Sequence, residues 1–198
     1  MRVAIDATPL TLSSGGLRRY TLELSEALAE NFPQDEFFLV SDQPFQMPDG
    51  VPANLRRGGG PRDAAERRWW LWGLNRELQR LHAALFHGTD FAVPYLARRP
   101  SILTLHDLSP WMNAAWHSDA SRVRQRTPLL IALGLPAMIV TPSEAVRKQA
   151  IERFRIHPDR IRAIPHAASA CFRPVRAEAA PPYFLFAGTL EPRKTFRG

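Results

Sequence analysis

The chain has 198 residues, 45% of them hydrophobic and 23% charged, which excludes a disordered or fibrous protein and leaves room for one full core plus a fragment. Its single cysteine, Cys171, excludes an internal disulfide framework and fits a reducing compartment. The formal charge of +7 is carried by arginine, with Lys148 and Lys194 the only lysines. That balance draws polyanions in general without choosing among nucleic acid, anionic lipid and nucleotide diphosphates.

The opening MRVAIDATPL is apolar only briefly and is broken by Asp6 and Pro9, so it reads as a first strand, Arg2 to Ala7, and not as a signal peptide. No apolar run reaches membrane-spanning length, so a soluble protein, or one held on a membrane surface, is expected. After the loop TPLTLSSGG, apolar residues at helical spacing (Leu17, Tyr20, Leu24, Ala27, Leu28) predict a helix over 17–31, ended by Pro33. EFFLVS over 36–41 is a second strand. Residues 42–61, rich in Pro and Gly, read as a connection with one short strand near 53–56.

Leu71, Leu74, Leu78 and Leu81 form one stripe and predict a helix over 63–82. ALFH (84–87) and SILTLH (101–106) are strands. A helix is expected over 116–134, broken near Pro128. AMIVT (137–141) is a strand, and Ser143 caps a helix to about Phe154, with Glu144 at its positive end. RIRAI (160–164) is a strand. FRPVRAEAAPP reads as a linker, and YFLFA (183–187) as a strand that opens a new unit.

Strands alternating with helices predict an α/β, Rossmann-like, doubly wound and mainly parallel sheet, with ligands at the carboxyl ends of its strands. Four places at those ends carry candidate chemistry. Gly15-Gly16 precedes a helix start whose free N–H groups suit a phosphate, or is simply a flexible turn. His106-Asp107 can hydrogen-bond a sugar or a developing charge, or is a histidine satisfied by its neighbours with no chemistry. His166 follows the strand RIRAI and ranks below His106. Gly188, Arg193 and Lys194 follow YFLFA, where two cations can neutralise a diphosphate without a metal. The dinucleotide fingerprint G-x-G-x-x-G, the nucleophile motif G-x-S-x-G and metal-ligand histidine spacing are absent from the sequence, so no metal and no cofactor is expected.

Five segments in order, MRVAIDATPL…SSGGLRRYTLELSEAL, TLHDL, VTPSEAVRKQAIERF, DRIRAIPHAA and YFLFAGTLEPRKT, resemble the family-4 glycosyltransferases along essentially the whole chain. Each motif is moderately specific; five in sequence are strong. The resemblance implies the GT-B architecture, two Rossmann-like domains facing across a cleft, the first mainly for acceptor and the second for a nucleotide-diphosphate sugar. It implies His106, Arg193 and Lys194 as catalytic residues. It implies Gly15, Gly16, Arg18, Asp107, His166 and Gly188 as substrate-binding, with Asp107 supporting its loop. Transfer would retain anomeric configuration, with a hexose such as mannose passed to a glycan or lipid-linked acceptor in polysaccharide or lipopolysaccharide synthesis.

The boundaries expected are an acceptor-side domain over 1–170, a linker over 171–182, and the first strand and loop of a truncated donor-binding domain over 183–198. The E-x7-E stretch of the family is missing, so the chain alone is expected to be inactive. Its unpartnered strand is expected to favour self-association. Ala167-Ala168 stands where Gly-Val-Asp is common in the family. Arg67-Arg68-Trp69-Trp70-Leu71-Trp72 and the Arg122, Arg124, Arg126 cluster suit an anionic membrane surface, or are core and solvated arginines. A cytoplasmic protein, peripheral on the inner face of the plasma membrane, is the expectation. Two other readings stand beside it: a non-catalytic glycan- or partner-binding module, and a nucleic-acid binder, disfavoured because no reading helix or aromatic platform is recognisable.

Overall fold

The structure is a computed structural model that describes residues 1–96, 98–112, 120–169 and 172–173. Strands β1 (Arg2–Asp6), β2 (Glu36–Val40), β3 (Leu55–Arg57), β4 (Leu85–Gly88), β5 (Ser101–Thr104), β6 (Met138–Thr141) and β7 (Ile161–Ala163) form one sheet. Their order is β3-β2-β1-β4-β5-β6-β7, and every pair is parallel. The main helices are α1 (Gly16–Asn31), α2 (Leu74–Arg80), α4 (Ser121–Ala132) and α5 (Glu144–Phe154), with a single turn α3 (Ser109–Met112). The fold is α/β and Rossmann-like.

Both faces of the central strands are apolar because successive side chains point to opposite sides. Val3 and Ile5 of β1, with Phe37 and Leu39 of β2, pack with Leu22, Leu28 and Ala29 of α1. Ala4, Phe38 and Val40 point the other way and join Leu74 and Leu78 of α2, Leu130 and Ile131 of α4 and Ala150 of α5. The sheet is therefore wound from both sides. Chain order runs outward from β1 in opposite directions, so the switch point lies between β1 and β4.

Most expected elements are present with ends moved by a residue or two. Three differ for physical reasons. The loop after β1 contains a 3-10 turn, Thr8–Thr11. It is fixed where Asp6 Oδ1 accepts from the Thr8 backbone N–H at 3.0 Å and the Thr8 hydroxyl at 2.7 Å.

The helix expected over 63–82 starts only at Leu74, after a π-helical turn at Trp69–Gly73. Asp63 and Glu66 are committed elsewhere. Asp63 Oδ1 accepts from the Glu66 N–H at 2.8 Å, while the Glu66 carboxylate takes the Arg62 N–H at 2.9 Å and the Arg80 guanidinium at 2.7 and 3.1 Å. Those bonds hold Glu66 down to about 2.

The break expected near Pro128 does not occur, since α4 runs through it. Proline removes the N–H that would bond the Arg124 carbonyl one turn earlier. That carbonyl instead accepts from the Trp111 indole N–H at 3.0 Å. The capping of α5 is as read: Ser143 Oγ accepts from the Val146 N–H at 3.2 Å. The strand at 183–187, most of the linker, Cys171, Gly188, Arg193 and Lys194 lie outside the described residues.

Candidate active site

Four connections leave the carboxyl edge of the sheet around the switch point. The first follows β1 and leads into α1. Gly15 caps α1 at φ +116°, a backbone conformation that L side chains rarely adopt, which accounts for glycine there. A Cβ at Gly15 or Gly16 would meet nothing within 4 Å, so the space above the helix start is open. No acidic side chain stands in the first turn of α1, and no side chain caps its N–H groups. The dipole end stays available to an anion.

The second follows β4. Gly88 is required by close approach, because a Cβ would fall 1.7 Å from the Ala92 carbonyl oxygen. That tight turn brings Thr89 against β1, where its hydroxyl donates to the Asp6 carbonyl at 2.8 Å. The Thr89 carbonyl in turn accepts from His106 Nε2 at 2.7 Å. A carbonyl only accepts, so Nε2 carries the proton.

Burial lowers the pKa of His106, partly countered by the Thr89 bond and the Asp107 charge. The ring is thus neutral near pH 7, and its Nδ1 has no hydrogen-bond partner among the described residues. A fixed tautomer with a free lone pair can accept a hydrogen bond from a sugar hydroxyl or take its proton. Three rings frame it: Tyr20 at 4.9 Å, Phe91 at 5.7 Å and His166 at 6.0 Å between centroids. His166 also stacks on Tyr20 at 4.7 Å.

Asp107, by contrast, acts within its own loop. Its Oδ1 accepts from the Ser109 N–H at 2.9 Å and the Ser109 hydroxyl at 2.7 Å. Arg18 makes no hydrogen bond or ion pair to this cluster among the described residues; its Nε donates to the Leu12 carbonyl at 3.0 Å. The structure thus gathers His106 and His166, sets Gly15 and Gly16 at the start of the helix that carries Tyr20, and turns Arg18 toward the loop after β1.

Sequence reasoning passed over five residues at this edge as site candidates. Tyr20 donates to or accepts from Thr104 Oγ1 at 3.1 Å, and His87 Nε2 meets the same oxygen at 2.8 Å. Asp6 is buried, which raises its pKa to about 7 against the Thr8 bonds. Asp90 is raised by burial to about 6 and has no hydrogen-bond or ion-pair partner among the described residues. Arg126 enters from α4 with its guanidinium 5.0 Å above the Trp70 ring, and its buried Nε is unpaired. The electrostatic fields of Asp6, Asp90 and Arg126 reach one another. Asp6 ends β1 and Asp90 stands two residues past β4, the two strands that border the switch point, a signal that was legible once β1 and β4 were known to be neighbours. Arg126 gave none.

Two surface cavities lie on the same edge but away from His106. One, of about 450 Å³, is lined by Leu10, Arg18, Phe45 and Arg57 among others. A smaller one of about 180 Å³ adjoins it and shares Pro44, Phe45 and Arg57. Among the described residues no group of three or more His, Cys, Asp or Glu is placed to hold a metal ion.

With this geometry in place, likeness to known proteins decides the family. The model of Glycosyltransferase Family 4 matches residues 14–169. The chain belongs to glycosyltransferase family 4. Among curated proteins it is similar to the O-antigen chain mannosyltransferase B of Escherichia coli, 27% identical over 224 residues. That match covers 100% of the chain and 58% of the relative, so the family-4 chain spans little more than half of that protein's length. Among solved structures it is similar to a glycosyltransferase from Rickettsia africae ESF-5, at 13% identity and a TM-score of 0.45, covering 83% of this chain and 42% of that one.

Proposed function

We propose that this family-4 chain supplies the acceptor side of a retaining glycosyltransferase. The enzyme would move a hexose, with mannose the first candidate, from a nucleotide-diphosphate sugar to a glycan or lipid-linked acceptor. The observation that carries the reading is His106: a neutral imidazole, oriented through Nε2 on the Thr89 carbonyl, with its second nitrogen free at the switch point of a parallel sheet. Such a group can hold the reacting hydroxyl or the donor sugar. The open helix start at Gly15 and Gly16 suits the donor phosphates. Gly188, Arg193 and Lys194 belong to the same reading as the grip on the diphosphate, where preorganised cations offset charge on the leaving group. Mannose is favoured by the name of the Escherichia coli relative. No described helix is long and apolar enough to cross a membrane. A peripheral place on the cytoplasmic face of the membrane suits a lipid-linked acceptor, and Arg67, Arg68 and Trp72 offer exposed contacts for it.

The test pairs radiolabelled nucleotide sugars with candidate glycan acceptors, on this chain joined to a family-4 donor-binding domain and on the same protein carrying His106→Ala. Transfer that drops by roughly a hundredfold in the variant, the scale of a lost acid–base or positioning group, is expected. Because His106 is neutral, transfer should hold through pH 7 and fall only as acid protonates the ring, below its ordinary value near 6.5. Saturation-transfer NMR on the same acceptors supplies the opposing outcome. Glycan contact without transfer from any donor would leave a binding module in place of an enzyme.

A further inference from the structure

We propose that the cavity between the loops following β1 and β2, the start of α1 and the end of β3 is a subsite for a phosphoryl group of the acceptor, held by Arg18 and Arg57. This rests on the acceptor-side reading above and gives the acceptor a chemical class, a glycan that carries a phosphate.

The cavity is about 450 Å³, and among its lining residues Arg18 and Arg57 are charged while no carboxylate appears. Neither arginine has a carboxylate within ion-pair distance among the described residues, whereas their neighbours do. Arg19 lies 3.7 Å from Glu23, and Arg56 lies 3.3 Å from Glu36. Strand geometry explains the contrast at β3. Successive side chains leave opposite sides, so Arg56 meets Glu36 while Arg57 turns to the cavity.

Both guanidiniums are held in place. Arg57 sits 4.9 Å above the ring of Phe45, which fixes its plane and leaves its N–H edge to other partners. Arg18 is anchored through Nε on the Leu12 carbonyl at 3.0 Å, leaving its terminal nitrogens unbonded to any described residue. Two unpaired cations converging on one hollow repel each other, and an anion between them removes that repulsion. A phosphoryl group, with oxygens that accept paired N–H bonds, matches the fork of arginine better than a neutral sugar does. Ser13 and Gln46 add polar contacts at the rim, while Leu10, Pro44 and Phe45 offer an apolar wall to a sugar ring. Asp42 lines only the smaller adjoining cavity.

Calorimetric titration of the 198-residue chain with inorganic pyrophosphate and with glucose 1-phosphate tests the assignment. Arg18→Gln and Arg57→Gln should each weaken both ligands by about tenfold, the loss of one charge-assisted contact. Arg57→Lys should fall between, since it keeps the charge and loses the fork. Arg56→Gln removes the same charge one residue away, from a side chain that pairs with Glu36 and does not line the cavity, and should change binding by less than about twofold. Equal losses from Arg56→Gln and Arg57→Gln would reduce the effect to general positive charge and overturn the subsite. So would an absence of saturable binding in the wild type. Uridine diphosphate competing with pyrophosphate for the same two arginines would place the cavity on the donor side and overturn the acceptor assignment. Thermal unfolding at wild-type temperature separates lost binding from lost fold; if Arg18→Gln unfolds, Arg57→Gln decides alone. Arginine-dependent pyrophosphate binding in a protein that transfers no sugar would defeat the enzyme reading and leave this subsite standing.

Discussion

The two halves of the sheet are finished differently. Around β1 and β2, both faces are closed. Val3, Ile5, Phe37 and Leu39 pack with α1, while Ala4, Phe38 and Val40 pack with the opposite layer, and all are buried. In β5 to β7 one face is closed and the other is covered only in part, at Thr104 under Tyr20. Leu103, Ile139 and Ile161 are 0%, 2% and 0% exposed in the layer of α4 and α5. Ile102, Met138 and Val140 point to the other side, are only half-buried, and belong to neither apolar cluster. The same parallel register thus gives full burial of both faces in one half and only partial burial of the second face in the other. What differs is the helix layer above it, and the candidate site lies along the seam.

Adjacent residues of β5 measure this contrast most directly. Leu103→Ala leaves a cavity in a closed layer and should cost about 3–4 kcal/mol, whereas Ile102→Ala opens a half-solvated surface and should cost about 1 kcal/mol. Urea unfolding of the two variants reads the difference. Equal losses would mean that the second face is as well covered as the first, and the comparison would fail.

The seam itself titrates in opposite directions on its two sides. His87 is pushed down to about 4 by burial, beside Thr104 and Tyr20 on the α1 side. Its unfolded form binds a proton below about 6.5, so its share of stability is intact above that pH and is lost as pH falls toward 4. Asp6, raised to about 7, does the reverse. The folded state holds its proton between about 3.8 and 7 while the unfolded state releases it, so stability declines as pH rises through that window. Asp6→Asn keeps an oxygen for both Thr8 bonds and should be steadier than wild type by roughly 2 kcal/mol at pH 8, with the gain fading toward pH 4. His87→Gln should instead flatten the acid side. Chemical denaturation at a series of pH values reads both; parallel profiles for Asp6→Asn and wild type would mean that the carboxyl is not protonated on folding.

How much of this was legible depended on distance along the chain. The strand runs, the Ser143 cap and the glycine start of α1 are local signals, and they emerged where the periodicity and turn residues placed them. His106 was singled out because it stands just past a strand. The helix expected over 63–82 failed because Glu66 bonds Arg80, fourteen residues on, and a leucine stripe cannot report that. The phosphoryl cavity is built from the loops after β1 and β2, the start of α1 and the end of β3, which become neighbours only in the order β3-β2-β1. Asp6 was visible as a polar residue ending a strand, but its raised pKa comes first from burial in the folded core, with the Asp90 charge adding to it and Arg126 opposing it, and a strand end alone reports none of these.

Pro128 offers the finest test of the same point, on the well-packed layer. A proline in a helix interior ordinarily costs about 3 kcal/mol through a lost bond and a clash, and the sequence alone predicts a break. Here the Arg124 carbonyl takes the Trp111 indole N–H instead, and Thr127, next to the proline, donates its hydroxyl to the Phe91 carbonyl at 2.8 Å. The helix is therefore held to the site-bearing loop by side chains rather than by its own ladder. Phe91 packs against both His106 and Trp111, so this join lies one ring away from the candidate catalytic residue. Trp111→Phe keeps much of the ring packing and removes the donor; it should cost about 1 kcal/mol. Adding Pro128→Ala restores a backbone donor to the same carbonyl, and the double variant should recover most of that loss. Additive, unrelated effects of the two changes in a thermodynamic cycle would show that indole and proline do not share the carbonyl, and that α4 tolerates Pro128 for another reason.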